Sequence, residues 1–120
     1  MAGAPRPESF LPLSTDALLI LLAIAAGPLH GYGIIRDVEA RSDGATVLQT
    51  GALYRLLRRL LRDALIEVSD APPGAGGDPR RRFYRLTRLG RGVVDAEAVR
   101  MSRLVRAARL ASAGKRPRLA

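Results

Sequence analysis

The 120-residue sequence has no cysteine, no tryptophan and a single histidine, His30. Disulfides, thiolate zinc sites, Cys-His nucleophiles and multi-histidine metal sites therefore have no residues to be built from. No nucleophile, base and orienting group can be assembled into a triad, so an enzyme is the least supported function class, and no cofactor is expected. A cysteine-free chain fits a reducing, cytoplasmic setting. Long apolar runs are also missing: the run of ten residues at 17–26 falls well short of the roughly twenty that a membrane-spanning helix needs, and no membrane partner is expected. That run would suit a signal peptide in length. However, Arg6 is offset by Glu8 and Asp16 abuts the run, which leaves no positive n-region.

Lysine is nearly absent as well, since nineteen of the twenty basic residues are Arg. Arginine's planar fork suits bidentate contacts to phosphate and guanine, although an Arg-rich, Ala-rich chain equally reflects a GC-rich genome. The distribution says more than the preference. Residues 1–79 hold seven Arg against nine Asp or Glu, whereas residues 80–120 hold thirteen Arg or Lys against only Asp95 and Glu97. An asymmetry this steep is a footprint for a polyanion, with nucleic acid ahead of an anionic membrane surface.

The order of elements follows from periodicity and capping residues. Pro5, Pro7 and Pro12 mark residues 1–13 as a flexible arm. Ser14, Thr15 and Asp16 offer N-cap chemistry for a first helix over the apolar run, which stops at Gly27-Pro28. Ile34, Ile35 and Val38 alternate with charged residues on a helical period from Tyr32 to Arg41, and His30 just before them reads as a cap or a packed side chain. Thr50 is the candidate N-cap of a third helix ending near Ala64. Leu53, Leu56, Leu57, Leu60 and Leu61 give that helix one buried face. Leu65–Ser69 and Arg82–Leu86 read as two strands joined by a Pro/Gly-rich turn. Thr87 can cap a last helix from Arg88 to about Ala111, with Val94, Ala98, Met101, Val105 and Ala108 forming a short heptad-like seam. The chain is thus expected to be mainly α with a small β-hairpin, a winged helix-turn-helix followed by one C-terminal helix. A first helix apolar on every side and a seam on the last one both call for cover. Leu18, Leu22, Val94, Ala98, Met101, Leu104, Val105 and Ala108 are therefore candidates for a homodimer interface.

In a winged helix-turn-helix the second helix of the motif enters the major groove and the wing reaches flanking backbone. Gln49, Thr50 and Gly51 at the start of the third helix can offer hydroxyl, amide and backbone N–H groups to a phosphate. Tyr54, Arg55, Arg58, Arg59 and Arg62 lie on its polar side, and Arg80, Arg81 and Arg82 close the wing turn. These are the candidate DNA-binding residues.

The segments Gly27-Pro28-Leu29-His30-Gly31-Tyr32-Gly33-Ile34-Ile35, Thr50-Gly51-Ala52-Leu53-Tyr54-Arg55-Leu56-Leu57-Arg58-Arg59-Leu60 and Arg80-Arg81-Arg82-Phe83-Tyr84-Arg85-Leu86-Thr87-Arg88-Leu89-Gly90-Arg91 occur in one order with family-like spacing. Together they resemble the PadR family of bacterial transcriptional regulators, over about residues 15–111. The resemblance implies a homodimeric, mostly repressing DNA-binding protein with a winged helix-turn-helix and a C-terminal dimerisation helix. Release from the operator by a small-molecule effector is a common family property. The short chain resembles the subfamily with one C-terminal helix. Two residues depart from the pattern. Ala64 stands where Gly is usual between the third helix and the first wing strand, so the turn must avoid a left-handed conformation or accept strain. Residues 88–120 contain no aromatic ring, so a site for stacking flat drugs has nothing to form it.

The resulting division is an arm at 1–13, a winged helix-turn-helix at 14–87, a dimerisation helix at 88–112 and a basic tail at 113–120. The expected function is an operator-binding regulator that binds an inverted repeat in double-stranded DNA as a homodimer. The alternative is a winged-helix module that serves nucleic acid or a protein assembly without operator specificity.

Overall fold

Among the described residues, three of the four α-helices start on a side-chain cap. The Ser14 hydroxyl accepts from the Ala17 N–H at 3.1 Å and opens α1 (Thr15–Ala25). His30 Nδ1 accepts from the Gly33 N–H at 3.1 Å and opens α2 (Gly31–Arg41). Thr87 Oγ1 accepts from the Gly90 N–H at 3.0 Å and opens α4 (Arg88–Ser112). The remaining helix, α3 (Thr50–Arg62), starts from Gln49, whose side chain makes no capping bond. The N-cap is thus one residue earlier than the expected Thr50, which becomes the first helical residue. These elements come from a computed structural model that describes residues 3–119.

Among the described residues, the expected hairpin is joined by a third strand. Leu29–His30 forms β1, Ile66–Ser69 β2 and Phe83–Leu86 β3, in the order β1-β3-β2 with both pairings antiparallel. Leu29 pairs with Tyr84 and His30 with Phe83, so the residues that lead into α2 are fixed to the wing strand. Between α3 and β2 the chain leaves the helix through Ala64 at φ 59°. The Leu65 N–H donates to the Leu60 carbonyl at 3.0 Å and the Ala64 N–H to the Leu61 carbonyl at 3.0 Å, which is a Schellman ending with alanine in the usual glycine place. The turn therefore takes the left-handed conformation and bears its strain.

The core is built around α1. Ile20, Leu21, Ala23 and Ile24 are buried with Ile34 and Val38 of α2, Leu53, Leu57 and Leu60 of α3, Tyr84 of β3 and Val93 of α4. The apolar run thus finds most of its cover inside this chain, and only residues such as Leu18 and Leu22 stay half-exposed. The expectation that α1 lacks cover within one subunit is corrected accordingly. Gly90 lets α4 dock on this body: a Cβ there would lie 2.0 Å from the Leu65 carbonyl oxygen.

Residues 7–13 are also not a loose arm. Pro7–Phe10 form a 3-10 turn that packs against α4 at Gly92, while Phe10, Leu11 and Leu13 rest on the core. Glu97, only 1% exposed, accepts the Leu13 N–H at 2.8 Å through Oε2 and a guanidinium N–H of Arg100 through Oε1. Those hydrogen bonds, Arg100 first, hold its carboxyl below the ordinary glutamate range against the opposing effect of burial. The first two residues of the expected arm and the last of the expected tail lie outside the described residues.

Candidate nucleic-acid interface

Amphipathicity decides which side of α3 faces out. Leu53, Leu57 and Leu60 are buried, and every polar position named from the sequence is exposed: Tyr54, Arg55, Arg58, Arg59 and Arg62 on the helix, with Gln49, Thr50 and Gly51 at its start. Among the described residues, none of these four arginines makes an ion pair. The helix start is open as well. The Gln49 side chain is not spent on a cap, and a Cβ at Gly51 would meet nothing within 4 Å, so a ligand could approach its backbone closely.

The wing turns its three arginines toward the same side, each with a different neighbour. Arg80 folds back on Asp78, with its backbone N–H 2.8 Å and its Nε 3.2 Å from Oδ1. This pairing holds the Asp78 carboxyl below its ordinary range. Arg81 places Nη1 3.3 Å from His30 Nε2. Arg82 lies beside the Tyr84 hydroxyl, whose pKa is raised mainly by burial and then by Tyr54, with Arg82 working in the opposite direction. All three are exposed and belong to the turn, because β3 begins at Phe83 and not at Arg82.

A cleft of about 620 Å³ separates α3 from the wing. Tyr54 and Arg58 line it from α3, Arg80, Arg81 and Arg82 from the wing, and His30 and Tyr32 from the start of α2. The Tyr54 hydroxyl packs where a Cβ on Gly31 would stand, 2.7 Å away, which fits the start of α2 against α3. Tyr32 is 62% exposed and carries the Arg36 guanidinium 5.7 Å from its ring centre. Sequence reasoning left His30 and Tyr32 out of the site. For His30 the signal lay in the Leu29–His30 pairing with β3, a contact across more than fifty residues that no local pattern reveals.

Of the residues named for an interface between subunits, Leu18, Leu22 and Val94 are half-buried within the chain. Ala98, Met101, Leu104, Val105 and Ala108 of α4 are exposed. Among the described residues, no helix is long and apolar enough to cross a membrane.

A family model described as the transcriptional regulator PadR-like family matches residues 20–96. An uncharacterized 37.1 kDa protein in transposon TN4556 of Streptomyces fradiae is 39% identical over 87 residues, 72% of this chain; the match spans 23% of that protein's length. Among solved structures, a PadR family transcription regulator from Clostridium difficile has a TM-score of 0.66 at 21% identity, covering 78% of this chain and 94% of that one. Bacillus subtilis PadR in complex with operator DNA has a TM-score of 0.57 at 20% identity, covering 71% of this chain and 47% of that one.

Proposed function

Because the chain belongs to the transcriptional regulator PadR-like family, we propose that it regulates transcription by binding operator DNA, with α3 in the major groove and the wing on the neighbouring backbone. The observation that carries this reading is the outer face of α3. Arg55, Arg58, Arg59 and Arg62 are exposed and make no ion pair among the described residues, and Arg58 shares a cleft with the three wing arginines. A solvated helix face ordinarily mixes signs, whereas this one carries no acid from Thr50 to Arg62. Bacillus subtilis PadR, similar in fold, is known in complex with operator DNA. The proposed binding unit is a homodimer on an inverted repeat, held through the exposed apolar residues of α4. Repression is the family's usual outcome, and a small-molecule effector would act by releasing the dimer. The family consists of transcriptional regulators.

The test is the affinity of the intact chain and of Arg55→Ala and Arg58→Ala for a duplex taken from just upstream of the chain's own coding region, against mixed-sequence competitor. Each substitution is expected to cost about 1 to 3 kcal/mol if the side chain reads a base, or to make the salt dependence shallower if it holds a phosphate. Both variants should melt like the original, because neither side chain is part of the core. Unchanged affinity in both would remove α3 from the interface. Equal affinity for the upstream duplex and the competitor would favour a module without operator specificity.

A further inference from the structure

The two ring nitrogens of His30 face incompatible neighbours. Nδ1 accepts from the Gly33 N–H, a first-turn amide with no carbonyl four residues back to receive it, so this nitrogen must keep its lone pair. A neutral imidazole whose Nδ1 is bare carries its proton on Nε2. Nε2 lies 3.3 Å from Arg81 Nη1, and a guanidinium has donors only. Two N–H donors therefore converge in the cleft, and among the described residues no hydrogen bond places an acceptor between them.

Among the described residues, neither His30 Nε2 nor the Arg81 guanidinium forms an ion pair or hydrogen bond with a carboxylate, although the Arg81 charge acts on the Asp78 carboxyl. Asp78, the carboxylate that lines the cleft, is engaged by Arg80 through both backbone and side chain. The His30 ring is held in place. The imidazole stands edge-on to Phe83 at 5.3 Å and 83°, and β1 holds His30 opposite that residue. Gly77, at φ 81°, leaves room for the Arg81 guanidinium, because a Cβ there would come within 3.0 Å of Nη1. Burial first, and the Arg81 charge second, lower the His30 pKa, which favours the neutral ring.

We infer that His30 Nε2–H and the Arg81 guanidinium form a clamp for one phosphate oxygen, and that under the DNA reading above, on which this rests, the oxygen belongs to the duplex backbone beside the wing. A phosphate oxygen has lone pairs for both donors. The two members contribute differently. Arg81 neutralises a phosphate and releases a counterion, whereas neutral His30 adds a hydrogen bond and releases none.

Since His30 is the only histidine, its ¹⁵N resonances need no assignment. The intact chain is titrated separately with inorganic phosphate and with a mixed-sequence duplex, while duplex affinity is followed by fluorescence anisotropy across salt concentrations. The free chain should show the Nε2–H tautomer, and the Nε2 signal should move on duplex binding. His30→Asn keeps a good N-cap and should therefore melt like the original, yet it should bind the duplex about two- to tenfold more weakly with an unchanged salt slope. Arg81→Gln should weaken binding and flatten the slope by about 0.9. The Nδ1–H tautomer in the free chain, or full duplex affinity in His30→Asn, would overturn the clamp. Duplex binding that leaves Nε2 unmoved would also overturn it while the DNA reading stands. A response to phosphate with no duplex binding at any salt concentration would keep the clamp and sink the DNA reading.

Discussion

Ala64 sets the residue scale. An L-residue at φ 59° carries about 1 to 2 kcal/mol of steric cost, and here it is held by the two hydrogen bonds that close α3. Glycine would remove the clash while giving back some of the gain through its freer unfolded chain. Ala64→Gly is therefore expected to stabilise the protein by about 1 kcal/mol, seen as a higher urea midpoint at constant m-value; a lower midpoint would show that the turn is not strained. The departure at this position was visible in the sequence, but which way the chain would resolve it was not. Caps at Ser14 and Thr87 were legible because one side chain and a local amide suffice. At α3 the chemistry misled by one residue. Thr50 is a good capping residue, yet the helix begins from Gln49 and leaves both polar side chains exposed near its open N-terminus.

Among the elements, those missed by sequence reasoning are the ones fixed by distant partners. β1 has two residues and exists only as the neighbour of β3, and its residues lie in a segment that reads as a turn into α2. The stretch at 7–13 is proline-rich and reads as loose, but the Leu13 N–H is tied to Glu97, 84 residues away. Nothing marks Glu97 as buried, since its charge and its exposed neighbours make it look like any surface acid. Glu97→Gln should lower stability by about 1 to 3 kcal/mol at neutral pH, because the bonds to Leu13 and Arg100 are charge-assisted. The sign of the pH dependence follows from the depressed carboxyl pKa. This stabilisation is complete above the ordinary glutamate range and is lost as pH falls through the lower folded value. Urea titrations of both chains from neutral pH down to about pH 3 should therefore show the gap between them closing in acid. A gap that stays constant would mean that the Glu97 charge contributes nothing.

The whole molecule has a body and a projecting helix. Through Glu97, α4 packs on the body; from Met101 to Ser112 every residue is exposed, in a molecule extending 60 Å along its longest axis. Met101, Leu104 and Val105 are 43%, 54% and 48% exposed on that free length. Their spacing was legible in the sequence, as was the charge asymmetry, because both are one-dimensional patterns. What the sequence misjudged was α1, whose apolar run is largely covered inside the chain, so that the more exposed apolar residues are those of α4. On the proposed reading a second copy covers those residues and pairs two groove-reading helices on one duplex. Sedimentation of the intact chain at micromolar concentration, mixed with the upstream duplex, tests this most directly, with Met101→Asp as the interface variant. The account predicts two chains on each duplex, and for Met101→Asp a folded monomer that binds weakly. One chain per duplex, or a duplex that sediments as though no protein were present, would contradict it.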